Sequence, residues 1–338
     1  MARYVRWIVG CVMVIVGGAT GASAQTACDR ACLRTMLDQY LAAVVKHDPA
    51  AAPLVVGFRQ TENAINVRPG NGVWKTVTGL GKVQRRYLDP VTGQAAYYGT
   101  VEEGSSTAVV TIRVRVEERQ LTEAEWFLAR ADDPGLNGAR QPGRPPANLH
   151  NPEYLAQNPP PDRTVPRNQR SDRATLVRIV NSYFDAITSH DGTVALAHPG
   201  CGRVENGTPA PVGRFLPPVA SAPPPSGQSA QPPASTNDCV SGLANFNGQM
   251  VVARRVPLVD EEAQVALAYA VFIRRPGSPT PRNVFSEWFV IDEAKIRTIY
   301  TAMFYPPAEL AVPNWPPYDG NWPLPAAIVP TPAQPRQP

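Results

Sequence analysis

The sequence is short of several things, and each shortage excludes a class of protein. Of its 338 residues only 4 are histidine and 5 are cysteine. It has no GxSxG nucleophile elbow, GxxxxGK phosphate loop, HExxH pair or dinucleotide-binding glycine fingerprint. Triad hydrolysis, nucleotide-dependent chemistry and HExxH-type zinc catalysis are therefore not expected. Excess charge is missing too. Lys and Arg total 32 against 28 Asp and Glu, a formal charge of +4. Arg3 and Arg6 lie in a segment expected to be removed, leaving 4 − 2 = +2. That is too little for a phosphate-tracking surface, so nucleic acid is not an expected partner. Beyond the N-terminus no apolar run approaches the ~18 residues of a membrane-spanning helix, so no span is expected.

What is present begins with an address. Residues 1–24 read as a signal peptide: Arg3 and Arg6 open it, Trp7 to Gly18 are nearly all apolar, and Ala22-Ser23-Ala24 offers a small-residue cleavage site. The rival reading is a lipobox at Ile8-Val9-Gly10-Cys11, but Cys11 lies inside the apolar run instead of after it. The expected location is exported, periplasmic or secreted. Cys28, Cys32, Cys201 and Cys239 then remain, an even number that favours disulfides over free thiols. Of three possible pairings, Cys28–Cys32 with Cys201–Cys239 is preferred. The second bridge closes 239 − 201 = 38 residues, with a chain-closure stabilisation of roughly 3–4 kcal/mol. A bridge between residues four apart needs a loosened first helical turn. Zinc is the disfavoured alternative, because the pairs lack CxxC spacing and a nearby histidine. No metal and no cofactor is expected.

The most informative feature is a repeat at an offset of 143 residues. Leu33–Asn63 aligns without gaps on Leu176–Asn206, placing Tyr40 on Tyr183, His47-Asp48 on His190-Asp191 and Glu62-Asn63 on Glu205-Asn206. Each copy opens with apolar residues at helical spacing, then a short helical turn after His-Asp, then strands. The strands are expected at Gln94–Glu102, Ala108–Val116 and Leu121–Arg130, and at Val265–Arg274, Val284–Ile291 and Ile296–Phe304. This order implies an α+β fold: two tandem domains, each with helices packed on a curved antiparallel sheet. The expected domains are 25–133 and 171–305. A Pro-rich linker spans 134–170, a Pro/Ser-rich insertion 208–237 and a Pro-rich tail 306–338, which hold most of the 38 prolines.

Lys46-His47-Asp48-Pro49, Thr61-Glu62-Asn63 and Gly72-Val73-Trp74-Lys75-Thr76, followed by three long strands, resemble a nuclear transport factor 2-like (SnoaL-like) domain. Cys28-Asp29 with Cys32-Leu33, His47-Asp48-Pro49, Thr61-Glu62-Asn63 and Gly72 with Trp74 also resemble a family of exported bacterial and fungal proteins. The second copy departs from this pattern: it has no Trp-Lys-Thr and carries Cys239 there. The resemblance implies cone-shaped domains enclosing a pocket. Relatives of that kind include isomerases, cyclases, dehydratases and epoxide hydrolases, so the fold does not settle the activity.

Glu62 is the leading candidate general acid or base, with Glu205 as its counterpart: a carboxylate in an apolar mouth rises in pKa and can exchange protons. His47 and Asp48, with His190 and Asp191, are supporting candidates, although a helix end also uses histidine and an Asp before a turn also caps it. Trp74, Tyr98 and Trp126 are candidate pocket residues; alternation brings either Tyr97 or Tyr98 inward. Glu123 and Glu125 share one strand face, expected to be solvated. Two functions fit: a cofactor-independent lyase, isomerase or hydratase acting on a small apolar or cyclic molecule, and a non-catalytic ligand-binding or interaction module. By analogy with the fold, the tandem domains are expected to pack as an internal dimer.

Overall fold

The computed structural model describes residues 28–136, 138–139, 148–209, 238–243, 249–274, 277, 280–307, 309–310 and 314. The expected signal peptide 1–24, nearly all of the 208–237 insertion and most of the 306–338 tail lie outside the described residues.

The first unit runs α1 (Arg30–Val45), β1 (Leu54–Glu62), β2 (Ile65–Asn66), α2 (Val73–Thr76), β3 (Gly79–Asp89), β4 (Gln94–Glu103), β5 (Ser106–Glu117) and β6 (Gln120–Ala129). After α3 (Pro152–Gln157), the second unit runs α4 (Arg173–Ser189), β7 (Ala197–Glu205), β8 (Thr208–Pro209), β9 (Gln249–Asp260), β10 (Val265–Arg274), β11 (Arg282–Asp292) and β12 (Lys295–Phe304). Each unit forms a six-stranded sheet of the same order, β2-β1-β6-β5-β4-β3 and β8-β7-β12-β11-β10-β9. Thr208-Pro209, read as the start of the insertion, is the short strand that pairs back onto β7.

The sheets are mixed, which corrects the antiparallel expectation. β1 runs parallel to β6, with Glu62 opposite Trp126, and β7 runs parallel to β12, with Glu205 opposite Thr301. From β3 four antiparallel passes carry the chain back across the sheet, so β6 arrives beside β1 in the same direction.

The helices form where apolar residues recur every three to four positions. Leu33, Met36, Leu37, Tyr40, Leu41 and Val44 are buried along α1, and Leu176, Ile179, Val180, Tyr183, Phe184 and Ile187 along α4. Asp29 and Asp172 start these helices by accepting from the backbone N–H of Cys32 and Thr175. Cys28–Cys32 and Cys201–Cys239 are the two disulfides. Cys28 lies outside the helix, before the capping Asp29, which gives the four-residue bridge its freedom. No helix among the described residues is long and apolar enough to cross a membrane.

Strand alternation gives every sheet two different faces. On one, Tyr97, Ile112 and Trp126 share an apolar cluster with α1, and Phe285, Phe289 and Ile299 share one with α4. On the other, Tyr98, Val109 and Phe127 of the first sheet cluster with Leu267, Tyr269 and Trp288 of the second. Phe127 stacks on Tyr269 at 5.0 Å, and Tyr87 lies 4.9 Å from Trp288. Thr111 Oγ1 accepts from both Ser286 Oγ and Trp288 Nε1 at 2.8 Å.

Contacts between the units are reciprocal. Asp260 accepts from Leu88 N at 2.8 Å and from the guanidinium of Arg30, the first residue of α1, at 2.9 Å. Asp89 accepts from Val259 N at 2.9 Å and from Arg173, the first residue of α4, at 2.6 Å. Glu123 and Glu125, expected on a solvated face, are buried there instead. Arg113 bonds both carboxylates at 2.6–2.7 Å and Arg255 of the second unit pairs with Glu125. The second sheet covers that face, and two cations against two anions leave the buried group neutral. The described part of the 134–170 linker lies against both units. Arg85 donates to Pro160 O at 2.6 Å, and Arg163 reaches Asp292 at 2.6 Å.

Candidate functional site

The repeated His-Asp pair is a helix terminator. His47 and His190 both adopt left-handed backbone, at φ 57° and 59°, just past α1 and α4. Asp48 and Asp191 each accept from the N–H two residues on, Ala50 and Thr193, starting a short 3₁₀ turn. Both aspartates are exposed, and among the described residues neither His-Asp pair hydrogen-bonds Glu62 or Glu205. His47 Nδ1 donates instead to Trp74 O at 2.7 Å, tying α1 to α2.

The repeated Asn is structural as well. Asn63 and Asn206 both sit at φ 49°, and their side chains accept from Leu128 N and Met303 N at 2.8 Å. Each turns its chain and fastens the turn to the neighbouring strand.

The helix-side interior of the first unit is a closed network. Tyr40 OH and Trp74 Nε1 both donate to Gln60 Oε1, at 2.9 and 2.8 Å, and Trp126 Nε1 donates to Tyr40 OH at 2.8 Å. Gln60 Nε2 donates to Glu62 Oε1 at 3.1 Å, which also accepts from Val73 N at 2.9 Å. Glu62 thereby fastens the first turn of α2. Gly72 is required beside it, with φ +57° and an added Cβ only 2.2 Å from Glu62 Oε1. Burial raises the Glu62 carboxyl above its ordinary range, opposed by the Val73 and Gln60 bonds. The structure brings Trp74 and Trp126 to this network but not Tyr98. Alternation sends Tyr97 to the α1 face and Tyr98 to the opposite one, against Trp288 and Tyr300.

The same positions in the second unit carry charge. The offset of 143 places Arg203 where the first unit has Gln60. Strand pairing aligns the row Glu62–Trp126–Ile112 with Glu205–Thr301–Glu287. Arg203 Nη1 donates to Glu205 Oε2 at 2.7 Å and its Nη2 to Glu287 Oε1 at 3.4 Å. Tyr305 OH donates to the other Glu205 oxygen at 3.1 Å, and Thr301 Oγ1 reaches Glu287 Oε1 at 3.5 Å. Glu287 stands between Phe285 and Phe289 on the face toward α4, with a side chain 0% exposed. Its Oε2 has no hydrogen-bond partner among the described residues. Burial pushes its carboxyl up to about 7, against the pull of Arg203.

Residues 169–303 match the model of a family described as Domain of unknown function (DUF8021). The match spans α4 through β12 and therefore contains Arg203, Glu205 and Glu287. No curated protein matches the chain.

Sequence reasoning selected Glu205 but passed over Arg203 and gave Glu287 no role. Arg203 was within reach, since period-two alternation puts it on the face of Glu205. Glu287 needed the register of β11 on β12, which no local pattern supplies. Cys201, Asp238 and Cys239 also converge, their ligand atoms lying within 4.8 Å of one another, but both sulfurs are spent in the disulfide.

Proposed function

We propose that the protein carries out cofactor-independent acid–base chemistry on a small apolar or cyclic molecule inside its second unit. Lyase, isomerase and hydratase reactions are of this type. The observation that carries the reading is Glu287 Oε2, a buried carboxylate oxygen with no hydrogen-bond partner among the described residues. Buried polar groups are almost always paired, and the exceptions concentrate at functional sites. A carboxyl raised to about 7 is half protonated near neutrality, the condition for both taking and returning a proton. Arg203 supplies the positive charge that steadies an anion developing beside it. Glu205 holds Arg203 in place and is itself held by Tyr305. The phenylalanines beside Glu287 favour an apolar ligand body.

The wider reading is an exported pair of nuclear transport factor 2-like domains, cone-shaped and joined as an internal dimer. The two disulfides suit an oxidising compartment. The exchange of Asp89 and Asp260 between the units has the self-complementary form of a two-fold interface.

One observation favours the non-catalytic alternative. In the first unit Trp74, Trp126, Tyr40 and Gln60 hydrogen-bond one another, so that interior reads as a packed scaffold. Thermal shift of the oxidised chain against small cyclic, aromatic, terpenoid and sugar-acid compounds separates the readings. Turnover of a hit that Glu287→Gln abolishes, with an unchanged melting point, is the expected result. A hit bound equally well by the wild type and by Glu287→Gln, with no turnover, supports the binding module.

A further inference from the structure

Glu287 is one member of a row. On the face of β11 toward α4, alternation sets Asn283, Phe285, Glu287 and Phe289 in line. Asn283 is 0% exposed, and its Nδ2 has no hydrogen-bond partner among the described residues. Its Oδ1 accepts from Arg274 Nη2 at 2.5 Å. A guanidinium only donates, so this contact fixes the amide with its oxygen toward Arg274 and its NH2 turned away.

A chain of contacts joins Asn283 to Glu287. Arg274 also donates to Thr280 O at 3.1 Å and lies 5.7 Å from the centre of the Tyr305 ring. Tyr305 OH holds Glu205, Glu205 holds Arg203, and Arg203 reaches Glu287 Oε1. These contacts leave an unmet donor, Asn283 Nδ2, at one end and an unmet acceptor, Glu287 Oε2, at the other. Four strand residues separate the two positions, a span of roughly 13 Å. Phe285 stands between them with Phe272 stacked on it at 4.4 Å, so the middle of the span is apolar.

The first unit has neither open end. Because 287 − 112 = 283 − 108 = 175, the register that sets Ile112 at the position of Glu287 sets Ala108 at that of Asn283. The donor and the acceptor therefore occur together, in one unit, on the same strand face.

We propose that Asn283 is a substrate-binding residue of the Glu287 site, donating its free NH2 to a hydroxyl or carbonyl oxygen at the far end of an elongated ligand with an apolar middle. The inference rests on the acid–base reading of Glu287 and narrows its substrate class to molecules with a polar group at each end. Glu287 and Arg203 meet the end that reacts, and Asn283 sets how far from that end the second oxygen stands.

Two probes test this on the full oxidised chain. 4-(4-Hydroxyphenyl)cyclohexanone has an oxygen at each end of an apolar body, and 4-phenylcyclohexanone lacks the far hydroxyl. In deuterated buffer the Glu287 carboxylate takes an α-hydrogen of the ketone and Arg203 faces the enolate left behind. The carboxyl exchanges its proton with solvent and returns deuterium to the same carbon, which magnetic resonance follows. Asn283→Asp keeps the oxygen that Arg274 uses and removes only the NH2. It should raise KM for the hydroxylated probe roughly five- to tenfold, the loss of one hydrogen bond. The saturated exchange rate, and both parameters for 4-phenylcyclohexanone, should not change. The comparison of the two probes on the wild type needs no variant: the hydroxylated one should bind more tightly. Equal binding of the two by the wild type, an equal shift of both in Asn283→Asp, or binding of neither overturns the proposal. Calorimetric titration beside the exchange assay separates this inference from the reading it rests on. Asn283-dependent binding without exchange supports the role of Asn283 and overturns that of Glu287. Exchange that Glu287→Gln abolishes and Asn283→Asp leaves untouched does the reverse.

Discussion

At the scale of single residues, the two units are the same frame with different interiors. Tyr40 and Tyr183 match, and so do Glu62 and Glu205. Gln60 and Ile112 of the first unit become Arg203 and Glu287 in the second. With Trp126 giving way to Thr301 and no counterpart of Trp74, these changes separate a network built on neutral side chains around Glu62 from one built on an arginine and two carboxylates. Glu287 makes the second unit sensitive to pH, with a sign that follows from its raised carboxyl. Between its ordinary value of 4.5 and about 7 the unfolded chain has released this proton while the folded chain keeps it. Glu287 therefore favours the folded state fully below 4.5, and that contribution fades as pH rises through about 7. Melting temperature measured across this range should fall less steeply in Glu287→Gln than in the wild type.

Arg203→Met leaves both carboxylates without their cation and should destabilise the chain by about 3–5 kcal/mol. Arg203→Gln with Glu287→Ile removes the buried charges at both positions, as Gln60 and Ile112 stand in the first unit, and should recover most of that loss in urea titration. Recovery no better than additive would mean that the two residues are not coupled.

At the scale of elements, much was legible. The helix cores, the 3₁₀ turn after each His-Asp and the strands β4–β6 and β10–β12 follow from periodicity, whereas the long strands β3 and β9 were not read from it. β10 spans Val265–Arg274, the residues where alternation placed it. The parallel pairing of β1 with β6 was not legible, because pairing partners are set by the whole sheet and not by either strand's own pattern. The repeat itself was visible, but its chemistry was ambiguous at that level. Recurrence of His-Asp and Glu-Asn arises from left-handed turns at His47, His190, Asn63 and Asn206, which any copy of the fold must make.

This gives a prediction at the same scale. His190→Gly keeps the left-handed terminator and should leave stability unchanged or slightly higher, with Thr193 N still capped by Asp191. Asn206→Ala removes the acceptor of Met303 N and should cost about 1–3 kcal/mol. Both are read by chemical denaturation.

At the scale of the whole molecule, the sheets bury each other's open faces. Trp74 and Trp126 lie in the first unit and Trp288 in the face shared by both. Fluorescence from these groups and calorimetry should therefore report one cooperative transition. Thr111→Val deprives Ser286 Oγ and Trp288 Nε1 of their shared acceptor. It should lower that single transition without splitting it. The solvated face expected for Glu123 and Glu125 shows why composition alone misjudged this surface. A charged strand face reads as exposed unless the matching charge is known, and Arg255 lies 130 residues further along the chain.

The most direct test of the account is an infrared difference titration of the full oxidised chain, following the carbonyl stretch of protonated carboxyl groups. The predicted result is a buried-carboxyl band that disappears as pH rises through about 7, present in the wild type and in Glu62→Gln and missing in Glu287→Gln. A band near that pH that survives Glu287→Gln, or its absence from the wild type, would contradict the assignment of proton exchange to the second unit.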